Sequence, residues 1–176
     1  IQVSSGGLKH SSDWFLSGLI EYAKSSQHPI CIHRDHCHTI DQVSRAIQLG
    51  FSSIMMDGSL TQDGLPTSFA QNSQITQQAV LMAHARGISI EGELGCLGSL
   101  ETGLSGEEDG TEAKTLLTAD ELLTDPHQAK IFVEETNVDA LAIAIGTSHG
   151  AYKFSKQPDE NTLCIHQVMK ISQHIP

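Results

Sequence analysis

Apolar positions along the chain alternate between two periods. From Ser12 to about Lys24 they recur at helical spacing, with Ser12 or Asp13 placed to cap the first turn. A short apolar run, Pro29 to Arg34, reads as a strand. Over Thr39–Leu49, Ile40, Val43, Ala46 and Ile47 share one helical face, and Gly50 follows as the terminating residue. The run "SSIMM", Ser52 to Met56, is the next strand, followed by a polar loop with Gly64 and Pro66 and a longer helix from about Ser68 to Arg86 that Gly87 ends. "ISIEGEL" gives a third strand, Ile88 to about Glu93. Helix resumes at about Asp125 to Thr136, with Pro126 at its first position. "DALAIAIG", Asp139 to Gly146, is the fourth strand, and a last helix covers Thr162 to Ser172.

Strands that each lead into a helix require crossover connections and therefore a parallel sheet. The strands are apolar on both faces, as parallel strands buried between layers are. The fold class expected is α/β. Two architectures satisfy the pattern: an open doubly wound sheet, or a partial (β/α)8 TIM barrel supplying about four parallel strands with their helices. A full barrel needs about 250 residues, and 176 are present. The chain, 1–176, thus reads as one ordinary domain or, on the barrel reading, as an incomplete one that supplies roughly half of a barrel. Residues 95–119 interrupt the pattern. They are rich in glycine and acid, and a loop of that length inside a compact domain is a functional lid, here a long active-site loop, or a disordered segment.

Charge narrows the partners. A formal net charge of −11 argues against nucleic acid and against membrane surfaces, which call for clustered positive charge. No apolar run reaches the length of a membrane span. Cys31, Cys37, Cys96 and Cys164 form no CxxC pair and no disulfide framework, which points to reduced thiols and a cytoplasmic setting.

The ends of the strands carry the candidate chemistry. Asp35-His36 closes the first, Asp57 the second, Glu91 and Glu93 the third, and Gly146 with Thr147, Ser148 and His149 the fourth. In parallel α/β folds the carboxyl ends of the strands share one rim, where active sites are built. Imidazoles and carboxylates converging there suit a divalent first-row metal, zinc foremost. Each residue also has a plainer reading, as a cap, a turn residue or a hydrogen-bonded neighbour; the coincidence of four strand ends favours a site. By the two-residue period His33 and Asp35 share a face opposite Ile32 and Arg34. His33 reads as a hydrogen-bonding neighbour, His38 as a solvated helix-start residue, and Cys37 and Cys96 as small buried hydrophobes. Glu107, Glu108 and Asp109 read as a solvated acidic run.

Together, "HRDHCHTIDQVSRAIQLGFSSIMMDGS", "SIEGELGCLGSLETG" and "DALAIAIGTSHGAYKF" resemble the class II, metal-dependent fructose-bisphosphate aldolases. The long 95–119 loop and "LLTDPHQAKIFV" are most similar to the branch associated with the Calvin cycle. The resemblance covers nearly the whole chain and implies a closed barrel. It implies a lyase that reversibly cleaves fructose 1,6-bisphosphate to dihydroxyacetone phosphate and glyceraldehyde 3-phosphate. It also implies Zn2+, a second divalent metal position, and a monovalent cation near the substrate phosphate.

Residue by residue, the resemblance makes Asp35 the proton-moving catalytic aspartate and His36 and His149 zinc ligands. Asp57 and Glu93 become the carboxylates of a second or alternative metal position. Glu101 becomes the mobile-loop acid that exchanges the carbon-bound proton. Gly150 becomes a backbone contact to substrate or to the monovalent cation, and Ser4, with Ser5 as competitor, a contact to the substrate's phosphate side. No lysine stands at a strand end, which disfavours a Schiff-base mechanism. The partners implied are a phosphorylated sugar and, for the complete protein, further copies of itself as a homo-oligomer, a dimer or higher.

The family's third histidine ligand and its phosphate-gripping asparagine-aspartate segment have no counterpart in this sequence, so the resemblance points to an internal fragment. Tagatose-bisphosphate aldolase, a metal-dependent barrel hydrolase and an inactive fragment stand as the alternatives.

Overall fold

The computed structural model describes residues 1–96, 116–118, 122–146 and 163–175. Among them, five strands form one parallel sheet in the order β1 (Gln2–Val3), β2 (His33–Cys37), β3 (Ser53–Met56), β4 (Ser89–Leu94) and β5 (Ala140–Ile143). Six helices accompany them: α1 (Ser5–Lys9), α2 (Asp13–Ser25), α3 (Ile40–Leu49), α4 (Phe69–His84), α5 (Pro126–Thr136) and α6 (Ile165–Ile171). Each strand pairs with the one before it in sequence. A doubly wound sheet reverses its strand order at a switch point; these strands never reverse. The winding is that of a (β/α) barrel, which resolves the choice the sequence left open.

Local chemistry explains the helix ends. Thr39 caps α3 by accepting from Gln42 N, and Gly50 stops it at φ 93°, a left-handed conformation in which a Cβ would be strained. Ser68 and Gln71 form a reciprocal capping box at the start of α4. Asp125 caps α5 through His127 N and Gln128 N, with Pro126 just inside.

Two expectations about strands need correction. Among the described residues five strands are present rather than four, because Gln2–Val3 was too short to show a period. The first long strand lies at His33–Cys37 rather than at Pro29–Arg34. Its ladder begins where His33 pairs with Gln2 and Ser53, so the apolar residues before it lead into the sheet instead of forming it. Asp35 and His36 are therefore inside a strand, not after one.

One face of the sheet packs against the helices. Ile32, Cys37, Ile54, Met56 and Ile90 join Leu16, Ile20, Val43, Ala46, Val80 and Ala83 in the main core. At β4 this packing is close. A Cβ on Gly92 would lie 2.8 Å from Phe132 Cε1 and 3.1 Å from Val138 Cγ1, so only glycine lets α5 seat at that distance. By alternation the neighbours of Gly92, Glu91 and Glu93, point to the opposite face.

Candidate metal centre

Ser53, Met55, Glu91 and Glu93 follow simple alternation onto the face away from the helices. β2 does not. Arg34 pairs with Ile54 but Cys37 pairs with Met56, so three steps on β2 match two on β3. The additional residue is absorbed at His36, whose φ is 52°, in the left-handed region. This is a β-bulge, a device that re-aims a side chain. Arg34 and Cys37 keep the helix-facing side, while Asp35 and His36, adjacent in sequence, both serve the other. Regular pleating would have turned His36 into the helix layer.

So aimed, His36 places Nδ1 3.1 Å from Asp57 Oδ2 and 3.5 Å from Glu93 Oε2. Asp57 stands just past β3, its backbone N donating to Cys37 O at 2.9 Å. Its other oxygen accepts from Ser59 N at 3.0 Å and from Ser59 Oγ at 2.6 Å. Glu93 is fixed from behind, since Asn72 on α4 donates to its carbonyl at 2.8 Å. One donor atom from each of His36, Asp57 and Glu93 lies within 4.8 Å of the others. The three residues are 3%, 4% and 2% exposed.

Electrostatics define what such a cluster can hold. Burial alone would push the Asp57 carboxyl up. The hydrogen bond from His36, the charges of His38 and His36, and the Ser59 hydroxyl outweigh it and hold the group below the usual carboxylate range. Two buried carboxylates beside the imidazoles of His36 and His38 form a polar cluster in which a divalent cation would be well compensated. The donor set, one nitrogen and two carboxylate oxygens, fits zinc or another first-row divalent metal.

Asp35 stands beside this cluster. Its Oδ1 is 3.9 Å from His36 Nε2 and 3.8 Å from His33 Nε2. His33 shares the face expected of it. Its Nδ1 shares a 2.8 Å hydrogen bond with Ser53 Oγ, and its Nε2 lies 3.5 Å from Glu91 Oε2. Burial lowers the His33 pKa, with Asp35 opposing, whereas burial and the Asp35 charge raise that of Glu91.

His38 requires a correction. Expected in solvent, it is 6% exposed. Its Nδ1 lies 3.3 Å from Asp57 O and 3.5 Å from Asp57 Oδ2, and its ring stacks on His36 with centroids 6.3 Å apart. A helix-start position favoured solvent; the inward turn of the chain after the bulge overrode it. Cys37 and Cys96 are buried as expected, and burial pushes the Cys37 thiol up to about 11. Ser4 is at the end of β1, where its hydroxyl caps α1 by accepting from Gly7 N at 3.3 Å, while Ser5 Oγ is engaged by Arg34. Glu101, Glu107, Glu108, Asp109, Thr147, Ser148, His149 and Gly150 lie outside the described residues, as does most of the 95–119 loop.

A parallel, sequentially wound sheet with carboxylates and histidines gathered at its strand ends places the chain among (β/α) barrel proteins and gives it a cluster that could hold a metal ion. The family model for fructose-bisphosphate aldolase class-II matches residues 1–176, and the chain belongs to that family. It is 54% identical over its whole length to proteins named fructose-bisphosphate aldolase in Stutzerimonas stutzeri and Pseudomonas aeruginosa, covering 51% of each. A plasmid-borne fructose-bisphosphate aldolase of Cupriavidus necator is 48% identical, with 52% of it covered. The chain thus spans about half the length of the curated relatives it matches. Among solved structures, the YdjI aldolase from Escherichia coli K12 superimposes with a TM-score of 0.71 at 26% identity, over 99% of this chain and 52% of that one. Among the described residues, no helix is long and apolar enough to cross a membrane.

Proposed function

We propose that the protein carrying this chain is a zinc-dependent aldehyde-lyase that reversibly cleaves fructose 1,6-bisphosphate to dihydroxyacetone phosphate and glyceraldehyde 3-phosphate. The observation that carries the reading is the buried His36–Asp57–Glu93 cluster, with Asp35 next to it on the same bulged strand.

When bound, zinc supplies Lewis-acid polarisation of the ketose oxygens. His36 and His149 are the residues we assign to hold it, with Asp57 and Glu93 at a second or alternative position. Asp35 moves the proton on the oxygen at the bond that is made or broken. Its backbone is tied to that of His36, so the proton carrier and the ligand cannot drift apart. Glu101, from the long loop, exchanges the carbon-bound proton; Ser4 and Gly150 contact substrate, Gly150 near the monovalent cation. The protein works in the cytoplasm as a homo-oligomer.

Coupled assay of the purified whole protein against fructose and tagatose bisphosphates tests this reading. Cleavage of the fructose substrate, abolished by a chelator and restored by zinc, is expected. Cleavage insensitive to chelation, or turnover of ester substrates instead, would refute it.

A further inference from the structure

A cavity lies on the other, helix-facing side of β2. It encloses about 380 Å³ between α1 and α3. Three of the chain's ten lysines and arginines, Lys9, Arg34 and Arg45, line it, in a chain whose net charge is −11. Leu8, Leu49 and Phe51 supply apolar wall.

Arg34 is the unusual member. It is 2% exposed. Its Nη1 donates to Val3 O at 3.2 Å and to Asp35 O, and its Nη2 donates to Ser5 Oγ at 2.8 Å. No carboxylate among the described residues lies within ion-pair distance of it, whereas Arg45 pairs with Asp13. A buried guanidinium answered only by neutral dipoles is poorly compensated. Its hydrogen bonds go to two carbonyls and one hydroxyl, all neutral acceptors, so its charge is left for a ligand of the cavity to answer.

The lining also limits the charge of a ligand. Asp41 shares the cavity with the three cations. Because Arg45 is already paired with Asp13, Lys9 and Arg34 against Asp41 leave one positive charge in excess, which matches a single negative charge, and a dianion would meet twice the repulsion from Asp41. We propose that this cavity binds a small organic monocarboxylate, its head on Arg34 with Lys9 and Arg45 beside it, and its apolar body against Leu8, Leu49 and Phe51. The site is distinct from the metal cluster, on the opposite face of the strand that carries Asp35 and His36.

Calorimetric titration of the whole protein with hexanoate, hexan-1-ol and inorganic phosphate tests the proposal. Hexanoate should bind saturably, with hexan-1-ol weaker by about tenfold or more, as loss of a charge-assisted pair implies. Arg34→Gln should weaken hexanoate by about tenfold, with circular dichroism and thermal melting showing that it folds. Should that variant fail to fold, the exposed pair Lys9→Gln/Arg45→Gln carries the test, with an expected loss of about threefold or more. Absence of saturable hexanoate binding, equal binding of hexan-1-ol, or tighter binding of phosphate would each overturn the proposal. So would unchanged affinity in the folded variant used.

Discussion

His36 Nδ1 and Asp57 Oδ2 are 3.1 Å apart, although 21 residues separate them in the chain. The contact joins the bulge of β2 to the end of β3 and makes one unit of a histidine and a carboxylate that neither strand could supply alone. Asp57→Asn keeps the shape and an acceptor for Ser59 but removes the charge. We expect divalent-metal affinity to fall about 10- to 100-fold, and the apo form to lose some stability near neutral pH, because the folded state holds this carboxyl below its usual range. Zinc titration and metal analysis after dialysis follow the affinity, and thermal melting of the apo form follows the stability.

Asp35 stands next to the metal cluster without belonging to its three closest donors. Asp35→Ala should therefore separate chemistry from metal binding. Aldol cleavage should drop by about 10²- to 10⁴-fold, the range of a lost general acid-base group, while zinc content stays near normal. His36→Ala should lose both. Wild-type turnover in Asp35→Ala would remove the aspartate from the proposed mechanism.

Gly92 touches no reacting group, yet a methyl group there would strike Phe132 at 2.8 Å and Val138 at 3.1 Å. Gly92→Ala should destabilise the protein by about 1–3 kcal/mol, the usual cost of overpacking. Urea denaturation gives the figure. Pairing it with Phe132→Leu should recover part of the loss, because the clash is with the ring edge.

Asp139 supplies a pH test away from the metal cluster. Burial would raise its pKa, but the hydrogen bond from Ile90 N and the contact and charge of His84 hold it below its ordinary value of 3.8. A carboxyl depressed in the folded state adds stability above the unfolded value and loses it as pH falls through the folded one. Asp139→Asn should therefore be less stable than wild type near neutral pH. The difference should narrow as pH drops through and below 3.8. Melting temperatures across that interval show whether the two curves converge. A gap that stays constant would assign the effect to hydrogen bonding alone.

Much of the helical layer was legible in the sequence, because caps are local. Thr39 with Gly50, Asp125 with Pro126, and Ser68 with Gln71 mark boundaries within one or two turns of chain. The strand-end residues Asp57 and Glu93 were also legible, since a parallel sheet sends its carboxyl ends to one rim. The bulge was not. Nothing in "HRDHC" announces that His36 would leave the pleat, because that depends on β3 pairing beside it. The burial of His38 followed from the same event. β1 was hidden by its length, as two residues show no period. The helix-side pairing of Arg34 with Ser5 was beyond reach for the same reason: it depends on β1 lying next to β2.

The left-handed turn at His36 has one more consequence. β2 uses one residue more than its partner to cover the same distance, so the meeting of Asp35 and His36 on one face depends on a miscount. A strand of the same composition with one residue fewer between Arg34 and Cys37 would pair in unbroken register and avoid a backbone cost of about 1–2 kcal/mol. It would make a sounder sheet with no room for both Asp35 and His36 on the same side. In this segment, regularity and usefulness are alternatives.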